Sequence, residues 1–129
     1  MTKRTAKFGR VILVSHDNES GELVFDEKQI ELGSLETMYE LIQCELVDCV
    51  ESANGTITAW VDEEGLFVSM PDLTDITKLM EEGNPGCFGD RIILAGNILF
   101  TGGVDDNGNT LALPDSVTVN TVKSSINWY

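Results

Sequence analysis

Hydrophobic positions along the chain fall into short runs separated by turn-forming clusters, and only two stretches carry a helical period. Phe8, Val11, Ile12, Leu13 and Val14 form a strand-like run. It is closed by Asp17-Asn18-Glu19-Ser20-Gly21, whose residue types favour turns. Residues 22–25 and 29–32 read as two short extended pieces. Gly33-Ser34 then precedes Leu35, Met38, Tyr39, Leu41 and Ile42, a pattern close to period 3.6. It predicts a helix with Ser34 capping its first turn.

The middle of the chain reads as strands. Residues 46–51 and 56–61 flank Ser52-Ala53-Asn54-Gly55, and an Asn-Gly pair between two such runs is a strong hairpin signal. Asp62-Glu63-Glu64-Gly65 makes a second turn into an expected strand at residues 66–70. From Pro71-Asp72 onward, Leu73, Ile76, Leu79 and Met80 share one helical face as far as Gly83, predicting a second, shorter helix. Residues 91–101 are a long apolar stretch interrupted by Gly96. Gly102-Gly103 and Asp105-Asp106-Asn107-Gly108 then lead to an expected short strand at residues 110–113. Several strands with two or three helices, and no regular βαβ alternation, give an α+β fold built mainly on antiparallel sheet. Residues 1–7 are expected to be a flexible basic tail and residues 8–129 a single α+β domain.

Charge changes the picture most. The formal net charge is −14, and all 22 acidic residues lie between Asp17 and Asp115, against Lys28, Lys78 and Arg91 in the same span. The other basic residues sit at the ends: Lys3, Arg4, Lys7, Arg10 and Lys123. Such a field repels nucleic acid and anionic membranes and steers cationic partners inward. No apolar run approaches the roughly 18 residues of a membrane span, so a soluble, cytoplasmic protein is expected. Cys44, Cys49 and Cys87 are odd in number and lack paired metal-ligand spacing, which argues against a disulfide framework or a zinc site.

The catalytic inventory is thin. His16 is the only histidine, read as a surface residue at a strand end. Cys44 and Cys49 read as small buried hydrophobes, and Cys87 as an inert thiol. Asp105 to Asn109 is oxygen-rich, but its glycine falls at the fourth position and the terminal glutamate of a calcium loop is missing, so a β-turn is expected. Gly102-Gly103 has no following Lys-Ser or Lys-Thr, which excludes a P-loop. No metal, cofactor or catalytic group is assigned, and the protein is read as non-enzymatic.

The run from Gly33-Ser34-Leu35-Glu36-Thr37-Met38 to Ile42 resembles the family called domain of unknown function 3846. So do Val61-Asp62-Glu63-Glu64-Gly65-Leu66 with Met70-Pro71, and Ile93-Leu94-Ala95-Gly96-Asn97 through Gly102. That resemblance implies a small protein of a phage, plasmid or other mobile element. The carboxylates carry the remaining signal. Glu36 and Glu40 share one helix face, where like charges four apart disfavour the helix, and Glu81 and Glu82 end a helix whose dipole prefers cations.

With Asp62, Glu63, Glu64, Asp72 and Asp75, these residues are the expected partner-binding surface. They would imitate the phosphates of duplex DNA and so occupy a basic surface on a host nucleic-acid-binding or defence protein, of anti-restriction or anti-CRISPR type. No direct nucleic-acid or membrane contact is expected. The alternative is a ligand-binding module that sequesters a small signalling molecule as a homo-oligomer. The role of the aromatic end, Trp128-Tyr129, is left open.

Overall fold

A computed structural model describes residues 7–64, 72–81 and 91–128. Strand β1 (Phe8–Asp17) and strand β2 (Glu22–Glu31) form a hairpin with ten paired positions, Phe8 opposite Glu31 and Asp17 opposite Glu22. Helix α1 (Leu35–Ile42) follows, then the hairpin of β3 (Val47–Glu51) and β4 (Ile57–Asp62). Next come β5 (Leu73–Asp75), the single turn α2 (Thr77–Met80), β6 (Ile93–Ala95) and β7 (Ile98–Gly102). Helix α3 (Val119–Ser125) and β8 (Asn127–Trp128) end the described chain.

Two antiparallel sheets result, a five-stranded one in the order β2-β1-β7-β4-β3 and a three-stranded one in the order β6-β5-β8. Alternation along β1 decides which layer covers each face. Val11 and Leu13 point, with Ile30 and Leu99, toward Met38 and Ile42 of α1. Ile12 and Val14 point, with Ile57, Ala59, Ile98 and Phe100, toward Ile76, Leu79 and Met80 of the β5–α2 segment and Val122 of α3. The large sheet is therefore buried on both faces, between α1 and the layer built from the small sheet, α2 and α3. This is a small α+β domain with antiparallel strands throughout its sheets.

Several local expectations hold. The Ser34 hydroxyl accepts from the Thr37 N–H, and α1 ends at Gln43 in the left-handed conformation. The Asn54-Gly55 turn joins β3 to β4, with Gly55 at φ 72°. The turn at Glu63-Glu64 forms, the Asp62 carboxylate accepting from the Glu64 N–H at 2.9 Å.

Others are corrected. The two extended pieces at 22–25 and 29–32 are one strand, because the charged Asp26-Glu27-Lys28 between them lies on a sheet edge where side chains reach solvent. The helix expected from Pro71 to Gly83 is instead a strand followed by one helical turn. Thr74, β-branched and fully buried, pairs with Leu94 on one side and Trp128 on the other, and Asp75 ends the strand by accepting from the Thr77 N–H. The apolar stretch around Gly96 splits into two strands of different sheets, with Gly96 at φ 76° at the break. The strand expected at 110–113 is reduced to a bridge at Thr110, after which the backbone wedges between two strands. The Gly102 N–H donates to the Leu111 carbonyl, and the Leu113 N–H to that of Arg10. The expected strand at 66–70 lies outside the described residues.

Candidate functional site

The carboxylates singled out from sequence divide between two layers. Glu36 and Glu40 stand on the exposed face of α1, opposite the buried Met38 and Ile42. Asp62, Glu63 and Glu64 lie at the end of β4, next to the C-terminal end of α1, since the Glu63 N–H donates to the Leu46 carbonyl and Val47 pairs with Asp62. Glu45, which pattern reading passed over, lies just before Leu46 at the same corner and is exposed; Asp48, also exposed, pairs with Val61 and so stands on the opposite face of the sheet. The last turn of α1 carries no basic residue, so its dipole adds to the negative field there.

Asp72, Asp75 and Glu81 belong to the opposite layer. The Asp75 carboxylate accepts from the Thr77 N–H and hydroxyl at 3.0 and 2.6 Å and faces Arg91 at 3.6 Å. Partial burial opposes its ionisation, but the Thr77 bonds and the Arg91 charge together hold its pKa below the usual value. Glu81 caps the end of α2, its N–H donating to the Thr77 carbonyl, and Glu82 lies outside the described residues.

A third acidic array runs along β2, where Glu22, Asp26, Glu27 and Glu31 are all exposed. The four-residue spacings from Glu22 to Asp26 and from Glu27 to Glu31 are the signal that could have found it, because on a strand they repeat on one face. Among the described residues two ion pairs form, Arg10 with Glu27 at 2.8 Å and Arg91 with Asp75, and no Asp or Glu is buried.

His16 has a structural task. Its Nε2 lies 2.7 Å from the Thr74 hydroxyl, and its ring meets the Trp128 indole edge-on with centroids 4.7 Å apart. The contact joins the C-terminal end of β1 to both β5 and β8, tying the two sheets together. The spacing is that of a nucleophile and its base, but Thr74 has no exposed surface through which to reach a substrate. Partial burial lowers the His16 pKa against the opposing pull of Asp72. The folded state thus binds this proton less readily than the unfolded chain, so the contribution of His16 is complete above its ordinary pKa of 6.5 and is lost as pH falls through the lower, folded value. A proton NMR titration of this single histidine should give a midpoint below 6.5, and His16→Gln should flatten the pH dependence of stability in that range.

Neither described cysteine is activated. Cys44 is half-buried against the α1 core, while Cys49 is exposed on β3, a correction to the buried role expected for it. Burial, followed by the Asp62 charge, raises the Cys44 pKa despite the Leu46 N–H, and burial with Asp48 and Glu51 raises that of Cys49. Cys87 lies outside the described residues. The Asp105 loop folds on itself as a turn, its carboxylate accepting from the Asn107 and Asn109 N–H groups at 2.9 Å each. Between the start of α1 and this loop opens a cleft of about 370 Å³, bordered by Lys7, Glu31, Ser34, Met38, Trp60 and Asn109. Among the described residues no helix is long and apolar enough to cross a membrane, and no group of three or more His, Cys, Asp or Glu side chains could hold a metal ion.

No curated protein and no solved structure matches the chain. A family model does, over residues 9–124, which leaves out the terminal β8 and one end residue each of β1 and α3. The chain belongs to the family described as domain of unknown function (DUF3846).

Proposed function

We propose that this chain is a non-enzymatic interaction protein of a phage or mobile element, which blocks a host nucleic-acid-binding or defence protein by presenting carboxylates in place of DNA phosphates. The observation that carries the reading is the corner at the C-terminal end of α1. Glu45, Asp62, Glu63 and Glu64 lie there, beside Glu40 and the negative end of the helix dipole. The backbone at this corner is fixed by the end of α1 and the β3–β4 pairing, and a basic groove would supply the counter-charge that no described residue provides there.

Reversing two of these charges tests the idea. Glu63→Lys with Glu64→Lys is expected to weaken capture of a nucleic-acid-binding partner at least tenfold. The unfolding midpoint should change little, because both side chains are exposed. Unchanged affinity would overturn the proposal. The cleft beside Lys7 and Trp60 favours a second reading, a module that sequesters a small signalling molecule. A small molecule co-purifying with the protein, and lost on Trp60→Ala, would move the assignment there.

A further inference from the structure

Among the described strands β2 is a sheet edge ten residues long, and the register shows which of its backbone groups point outward. The Leu32 N–H donates to the Lys7 carbonyl, and these two residues continue the β1–β2 pairing by one step. In an antiparallel ladder bonded pairs alternate. Residues 22, 24, 26, 28 and 30 therefore bond to β1, while Leu23, Phe25, Glu27, Gln29 and Glu31 direct their N–H and carbonyl groups outward. The Leu113 N–H bond to the Arg10 carbonyl, on the other side of β1, fits the same alternation. Among the described residues, only Ser34 N–H, donating to the Glu31 carbonyl at 3.4 Å, uses this outer row.

We propose that the outer edge of β2 is a docking site for an extended, basic peptide segment of the protein partner, which adds a sixth strand to the large sheet. The inference rests on the acidic-partner reading and names its mode of contact. A strand rises about 3.3 Å per residue, so Glu22 and Asp26 stand about 13 Å apart on the α1 face, and Glu27 and Glu31 the same distance apart on the other. Lysines or arginines on both faces of an added strand would lie directly across from them, where opposite charges attract. Val24, exposed, and the half-buried Leu23 and Phe25 give the added strand apolar contacts. The same charges exclude a second copy of the chain as the occupant. Two β2 edges paired together would bring four carboxylates from each copy, one of them already held by Arg10, against one Lys28 from each, into cross-strand contact.

The test uses the whole protein, isotope-labelled for NMR, and a synthetic peptide of repeating Lys-Lys-Val-Thr. A second peptide of the same sequence is N-methylated at alternate residues, which keeps the charge and removes backbone donors. With the first peptide, hydrogen exchange at Leu23, Phe25, Glu27 and Gln29 should slow at least tenfold, and the methylated peptide should leave it unchanged. Gln29→Pro removes one outward N–H without touching the ladder to β1, and should abolish that protection while the β1 amides stay protected. If both peptides bind equally and β2 exchange does not change, the edge site is overturned while the acidic-surface reading stands. If neither peptide binds, the edge site is overturned and the acidic-surface reading loses its basic partner as well.

Discussion

Replacing Gly103 by alanine should lower the unfolding midpoint by about 10 °C, the consequence of a loss near 3 kcal/mol in a domain of this size. A Cβ at this position would collide with the Gly55 carbonyl oxygen in the turn between β3 and β4, and at the preceding Gly102 it would strike the Ala112 carbonyl. Both obstacles are backbone, so relief would require the β3–β4 hairpin or the 111–113 segment to move away from β7. That strand is the middle of the large sheet, and its residues Ile98 to Gly102 are all buried. Gly21 provides the control. It has φ 73° and open space around it, so Gly21→Ala meets only the left-handed backbone penalty, about 1–2 kcal/mol. Thermal unfolding of the two variants separates the mechanisms. Equal losses would show that the close approach at Gly103 does not matter.

Arg10→Met should cost about 2–3 kcal/mol, although it keeps a side chain of similar reach over the sheet. The Arg10 guanidinium donates to the Pro114 and Val117 carbonyls at 2.6 and 2.7 Å and to the Glu27 carboxylate at 2.8 Å. It is thereby the clasp that holds the segment leading into α3 against the first hairpin. Methionine leaves the Val117 carbonyl without this donor and Glu27 without its cation. Arg10→Lys should recover only part of the loss, because an ammonium cannot reproduce the planar fork that reaches several acceptors at once. Denaturant unfolding of the three proteins, compared at constant slope, is the check. A lysine variant as stable as the original would remove the role assigned to the fork.

What could be read from sequence was what local chemistry decides. Ser34 before a helical period, Asn54-Gly55 between apolar runs and Asp17 to Gly21 after the first strand each specify their own geometry, and each appears as expected. What could not be read depends on partners distant in the chain. Leu73, Ile76, Leu79 and Met80 satisfy a helical period, yet Thr74 is drawn into a strand by β6 and β8, which come from residues 93–95 and the chain's end. Gly102-Gly103, read from sequence only as leading into a short strand, is a place where backbones approach on both sides. Helix α3 went unlocated because it offers a capping box at Thr118 but few apolar residues.

The candidate site was legible in part. Acidic pairs adjacent in sequence were visible, whereas the placing of Glu45 near Asp62, Glu63 and Glu64 follows from the pairing of β3 with β4, which sets Val47 opposite Asp62 and Leu46 beside Glu63. Asp75 looked like a free carboxylate because sequence does not place Thr77 and Arg91 around it.

The measurement that bears most directly on the acidic-surface reading is capture of proteins from a bacterial lysate by the immobilised chain. It is run at about 0.05 M and about 0.5 M salt, beside the Glu63→Lys, Glu64→Lys protein. Screening shortens from roughly 14 Å to roughly 4 Å across that range. The reading predicts a DNA- or RNA-binding protein held at low salt, released at high salt and not held by the reversed protein. Capture of such a protein that persists at high salt and survives the charge reversal would contradict it.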